Sequence, residues 1–165
     1  MSTQLEVDQL ETPPTGCLPK ELVSSTAFLL ARVGVSIKMR VIDELGQVGC
    51  GAYEYGVLAM LGEGAQETQA AIAEGLGVDR SQLVHILDTL EEDGLIERKR
   101  DPHDRRRHAV SITADGKRQL VKLRSTVREL EESILEPLDE KTRIALHEAL
   151  FRVASNLDPR YTRPA

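Results

Sequence analysis

Two stretches of this chain carry side chains whose types and spacing suit recognition of a polyanion. In Asp79-Arg-Ser-Gln-Leu-Val-His85 an arginine and short polar side chains gather at a helix start. There, free backbone amides favour phosphate, Arg80 and Gln82 have the reach for base edges, and Ser81 and His85 add polar contacts. Val84 is apolar and suits a thymine methyl, and Asp88 follows on the same exposed face. The second stretch, RDPHDRRRHAVSIT from Arg100 to Thr113, sets three consecutive arginines between two histidines. In isolation it reads equally as a solvated loop, a histidine site for metal or protons, or a tip that touches a polyanion.

Charge separates these readings. From Arg98 to His108 six Arg or Lys stand against two Asp, although the 165-residue chain carries a net charge of -6. Positive charge is therefore gathered locally. Arginines at a loop tip can enter a minor groove, where narrow segments concentrate negative potential. The histidines form no metal set: His85, His103, His108 and His147 include no pair at helical i, i+3 or i, i+4 spacing. Neither four zinc ligands nor a paired acid and base is assembled, so no metal, cofactor or catalytic residue is expected. His103 and His108 read as supplementary polar contacts.

The elements that must position these residues follow from periodicity. Leu83, Ile86, Leu87 and Leu90 make one apolar face behind Arg80–His85, with Asp79 as cap and Gly94 as stop. A shorter helix, 69–76, precedes it, capped by Thr68 and closed by Gly77. Two helices joined at a glycine turn are a helix-turn-helix. Residues 95–100 and 108–113 alternate as two strands joined by 101–107, a hairpin wing. Upstream, Leu22, Leu29, Val33 and Ile37 predict one long helix from Lys20 to about Leu45, broken by Gly46, Gly49 and Gly51, and a short helix over 53–61 follows. Downstream, Leu120, Leu123, Val127, Leu130 and Ile134 form a heptad seam interrupted by Pro137, and a last helix runs from Lys141 to Leu157. The fold class is mainly α with a small β-hairpin wing (α+β): a winged helix-turn-helix with flanking helices.

Composition agrees with a globular chain, at 41% hydrophobic and 29% charged. Two cysteines outside any CxxC pair suit a reducing compartment. The N-terminus is too polar for a signal peptide, and no apolar run reaches the ~20 residues of a membrane span. A cytoplasmic protein with no membrane partner is the expectation. Residues 1–19, rich in proline, read as an extended or disordered arm, and 158–165 as a frayed tail.

Asp104-Arg-Arg106, with Thr113 seven residues beyond Arg106 and Gly116 three beyond that, resembles the wing signature of the MarR family of transcriptional regulators. Leu87 to Arg98 and Gln69 to Val78 resemble the family's helix end with first wing strand, and its preceding helix. The resemblance covers roughly 20–157 and is most specific over 68–116. It implies a homodimer whose terminal helices intertwine, with 20–50 and 117–157 as dimerisation helices around a DNA-binding domain at 51–116. The partner it implies is double-stranded DNA carrying a pseudo-palindromic operator, with half-sites about one helical turn apart. By the same resemblance Arg106 probes the minor groove with Asp104 orienting it. Residues 80–85 face the major groove, Arg105 and Arg107 meet phosphates or solvent, and Arg100 counts among the DNA-binding residues. The family's effector cleft maps onto Arg32, Ile37, Met39, Arg40, Tyr53 and Tyr55, where Arg32, Lys38 or Arg40 would pair with an aromatic or anionic small molecule. Two positions depart from the pattern: Val84 replaces a frequent hydroxyl residue, and Gly51 a frequent capping Thr or Ser. The expected function is a repressor relieved by an effector. The alternatives are a thiol-redox sensor of the same fold, through Cys17 or Cys50, and a winged protein-interaction module without DNA binding.

Overall fold

A computed structural model describes residues 16–64, 67–100, 108–158 and 160–161, with Arg100 and His108 described as strand backbone alone. The chain divides into two units, Met1–Lys38 and Met39–Ala165. In the first, a four-residue helix α1 (Lys20–Val23) precedes α2 (Thr26–Gln47), which continues across the boundary between units. One uninterrupted helix from Lys20 was expected; two serines divide it. The Ser24 hydroxyl donates to the Glu21 carbonyl, and the Ser25 hydroxyl accepts from the Phe28 amide. Both bonds compete with the helical ladder. At its other end α2 passes through Gly46 and stops before Gly49, which takes φ 72.

The second unit holds the expected winged module. Helix α3 (Ala52–Glu63) starts at Gly51 with no side-chain cap, as that glycine implied. After it come a two-residue strand β1 (Glu67–Thr68), α4 (Gln69–Leu76) and α5 (Arg80–Glu92). Thr68 caps α4 by accepting from the Ala71 amide, and Asp79 caps α5 by accepting from Gln82 at 2.9 Å. Strands β2 (Ile96–Arg100) and β3 (His108–Ile112) pair antiparallel in the register Arg98↔Val110, Lys99↔Ala109. The sheet has a third member: β1 lies on the far side of β3, giving the order β1-β3-β2. A two-residue strand offers too little alternation to be seen in sequence.

Helix α6 (Ala114–Leu135) begins at Thr113, and α7 (Glu140–Leu157) is capped by Asp139. The core joins Val57, Leu58 and Leu61 of α3, Ile72 of α4, the four apolar residues of α5, Ile96, Val110, and Leu120 with Leu123 of α6. The upper half of the α6 heptad seam is thus used inside the unit. Helix α7 buries none of its residues; Ile144, Leu150, Val153 and Leu157 stay exposed.

Candidate nucleic-acid interface

The fold presents α5 by one face. Leu83, Ile86, Leu87 and Leu90 are buried, while Arg80, Ser81, Gln82, Val84 and His85 are exposed on the opposite side. This separation needs only the 3.6-residue period and the Asp79 cap, and it keeps the sequence-chosen residues together over the first turn and a half. Asp88 departs from that set. It is half-buried and its carboxylate holds Arg98 at 2.7 Å, which turns it toward the wing rather than outward.

Arg98 is accordingly not a free cation. Its backbone amide donates to Glu91 Oε1 at 3.0 Å and its Nε to Glu91 Oε2 at 2.9 Å, while Nη2 bridges Glu91 and Asp88. The Glu91 carboxylate, then that of Asp88, raises the pKa of the Arg98 guanidinium. On the other face of β2, Lys99 pairs with Glu97, whose carboxylate also accepts from the Ser111 hydroxyl. Two of the six basic residues counted from the sequence are therefore partnered within the chain. Of the other four, Arg105, Arg106 and Arg107 lie outside the described residues, as does the side chain of Arg100; so do His103, Asp104 and the side chain of His108.

The base of the wing is tied to α6 by the last two residues of the signature. The Thr113 hydroxyl donates toward the Gly94 and Leu95 carbonyls at 2.8 and 3.1 Å and accepts from the Gly116 amide at 3.0 Å. A Cβ placed on Gly116 would meet the Leu95 carbonyl oxygen at 2.0 Å, so close approach of backbone to backbone requires glycine here. Sequence reasoning used Thr113 and Gly116 as a pattern without seeing this packing. It also missed the Glu91–Arg98 contact. Glu91 stands on α5 and Arg98 on β2, on either side of the Gly94 turn, and only the fold brings the two together.

The expected effector residues are divided between the units: Arg32 and Ile37 belong to the first, Arg40, Tyr53 and Tyr55 to the second. Within the second, Arg40 donates to the Ser133 hydroxyl at 3.3 Å, Tyr53 is exposed, and Tyr55 packs half-buried against the core. Cys17 is exposed and Cys50 buried. Burial first, then the Glu54 carboxylate, pushes the Cys50 thiol up from 9.0 to about 11. It lines a cavity of about 50 Å³ with Glu54, Thr89, Asp93 and Gln119, large enough to admit water. Among the described residues no three His, Cys, Asp or Glu are grouped to hold a metal ion, and no helix is long and apolar enough to cross a membrane.

Comparison with known proteins places this geometry. A family model described as the MarR family matches residues 51–107. A curated Thauera aromatica protein, proposed by its name as the transcriptional regulatory protein for the hcr operon, is 33% identical over 101 residues, or 59% of this chain. The match spans 61% of that relative's length. The transcriptional repressor CouR bound to a 23-mer DNA duplex is 28% identical, with TM-score 0.75 over 85% of this chain and 99% of that one. CouR from Rhodococcus jostii RHA1 bound to p-coumaroyl-CoA is 26% identical, with TM-score 0.68 over 82% and 96%.

Proposed function

We propose that this chain, which a MarR-family model matches over residues 51–107, is a sequence-specific DNA-binding transcriptional regulator of that family, a repressor relieved by a small-molecule effector. The observation that carries the reading is the exposed set Arg80, Ser81, Gln82, Val84 and His85 on one side of α5, at a capped helix start and beside a two-stranded wing. Such a helix end fits the major groove, and an arginine-rich wing tip reaches the minor groove alongside it. Arg106 is the groove probe and Asp104 its brace; Arg105 and Arg107 meet phosphates or solvent, and Arg100 is a further DNA-binding residue. The likeness to CouR on a DNA duplex supports the DNA-binding reading.

The active form is a homodimer on a pseudo-palindromic operator. Exposed Leu29, Leu30 and Val33 on α2, and Leu150, Val153 and Leu157 on α7, supply apolar surface for association. The effector is an aromatic or anionic small molecule, and the p-coumaroyl-CoA held by CouR supports that class. The protein acts in the cytoplasm and catalyses no reaction. A thiol switch at Cys50 is disfavoured, because a buried thiol raised to about 11 forms little thiolate near neutral pH.

The test is titration of duplex containing the protein's own upstream region with the wild type, Arg80→Ala and Arg106→Ala. Each substitution is expected to weaken binding at least about fivefold, the scale of one lost base contact, and to leave the dimer intact. Unchanged affinity in both variants would remove these residues from the interface.

A further inference from the structure

Two of the six basic residues of the wing region, Arg98 and Lys99, are held by carboxylates of the chain itself. Ile96 and Arg98 lie on the face of β2 turned to α5, and Ile96 is buried. Glu97 and Lys99 alternate onto the exposed face. From its inward position Arg98 meets two carboxylates one turn apart on α5, Asp88 and Glu91, and Glu91 also accepts from its backbone amide. Only the turn through Gly94, at φ 70, connects the two elements covalently. The geometry points to Arg98 as a positioning residue: with Asp88 and Glu91 it fixes the angle at which the wing leaves the recognition helix, so that both reach adjacent grooves of one duplex together. This inference rests on the DNA-binding reading above.

The lever arm gives the clamp its leverage. Five residues of β2 span about 16 Å, so a tilt of about 10° at the base moves the far end by about 3 Å, a full hydrogen-bond length. Interactions at the wing tip and on α5 would then no longer be made together. Arg98 itself is largely withdrawn from solvent, and its Nε and Nη2 are engaged by carboxylates, so it is poorly placed to neutralise a phosphate.

The sign of one substitution separates positioning from electrostatics. Glu91→Gln removes a negative charge from a protein that binds a polyanion; by charge alone, affinity should rise. A positioning role requires the specific affinity to fall. The experiment measures Arg98→Met, Glu91→Gln and the double variant against wild type, on the upstream duplex and on a scrambled duplex, at several salt concentrations. Specific affinity is expected to fall about tenfold in each single variant, comparable to one mismatched base pair. Scrambled-duplex binding and the salt slope should hold, and the double variant should be no weaker than Arg98→Met alone. A salt slope reduced by about 0.9 in Arg98→Met, with both duplexes weakened alike, would make Arg98 a phosphate contact and overturn the inference. So would a Glu91→Gln variant that binds the upstream duplex as tightly as wild type, or tighter. Glu91→Gln carries the test where Arg98→Met melts early. If wild type itself binds no duplex, the DNA-binding reading fails and the inference with it, whereas normal wild-type binding with an indifferent Glu91→Gln overturns the inference alone.

Discussion

Replacing Gly116 by Ala should destabilise the winged unit by an amount the geometry sets. The added Cβ would stand 2.0 Å from the Leu95 carbonyl oxygen, 2.8 Å from Ile112 Cγ1 and 3.0 Å from the Leu95 carbonyl carbon. Ordinary contact begins at 3.4 Å. Two of these neighbours are backbone, held by the Thr113 amide donating to the same Leu95 carbonyl at 3.0 Å, so no side-chain rotation relieves the clash. The first turn of α6 must retreat from the wing base, which pulls on the Thr113 hydroxyl bonds as well. Overpacking of this kind costs about 3 kcal/mol at the upper end of the usual range. For a chain of this size that lowers Tm by about 6–12 °C. Differential scanning calorimetry on wild type and Gly116→Ala measures it. Gly46→Ala is the control: it lies in the last turn of α2 with nothing within 4 Å of its added Cβ. That substitution should leave Tm unchanged or raise it slightly, because alanine is the better helix former. A Gly116→Ala protein that melts with wild type would refute the packing explanation of the Thr-x2-Gly pattern.

Thr113→Ala removes the α6 cap and the bonds to the Gly94 and Leu95 carbonyls; a loss of about 1–2 kcal/mol is expected, largely restored by Thr113→Ser, read by chemical denaturation. Ellman's reagent at pH 8 should titrate one thiol rapidly in the folded chain, the exposed Cys17, and both in denaturant. Because burial raises the Cys50 pKa from 9.0 to about 11, its contribution to stability is full below pH 9 and lost as pH rises through about 11. Melting curves of Cys50→Ala should therefore decline less steeply over that window. Leu150→Glu and Val153→Asp place charge on the exposed face of α7. Light scattering should show the proposed dimer dissociating, while the circular dichroism of the chain is retained.

The elements that position the interface were legible because each rests on a local rule. Asp79 and Thr68 cap by accepting amides three residues ahead, Gly77 and Gly94 close helices at positive φ, and four leucines and isoleucines at helical spacing choose the inner face of α5. What escaped notice depends on the fold. Asp88 sits on the outer side of α5 by periodicity, yet the wing strand returns beside it and claims it for Arg98. The α6 heptads looked like surface for another helix, but Leu120 and Leu123 are covered by the winged core. The break at Ser24 and Ser25 depended on hydroxyl bonds that compete with a helix of otherwise regular apolar spacing.

Fluorescence polarisation decides whether the wild-type protein reads DNA: a labelled duplex of its upstream region is titrated from low to moderate salt with scrambled duplex as competitor. Saturable binding is expected that weakens steeply with salt yet stays at least about a thousandfold tighter than to scrambled duplex, the lower bound for specific recognition. Equal affinity for both sequences, or no salt-dependent binding to either, would contradict it.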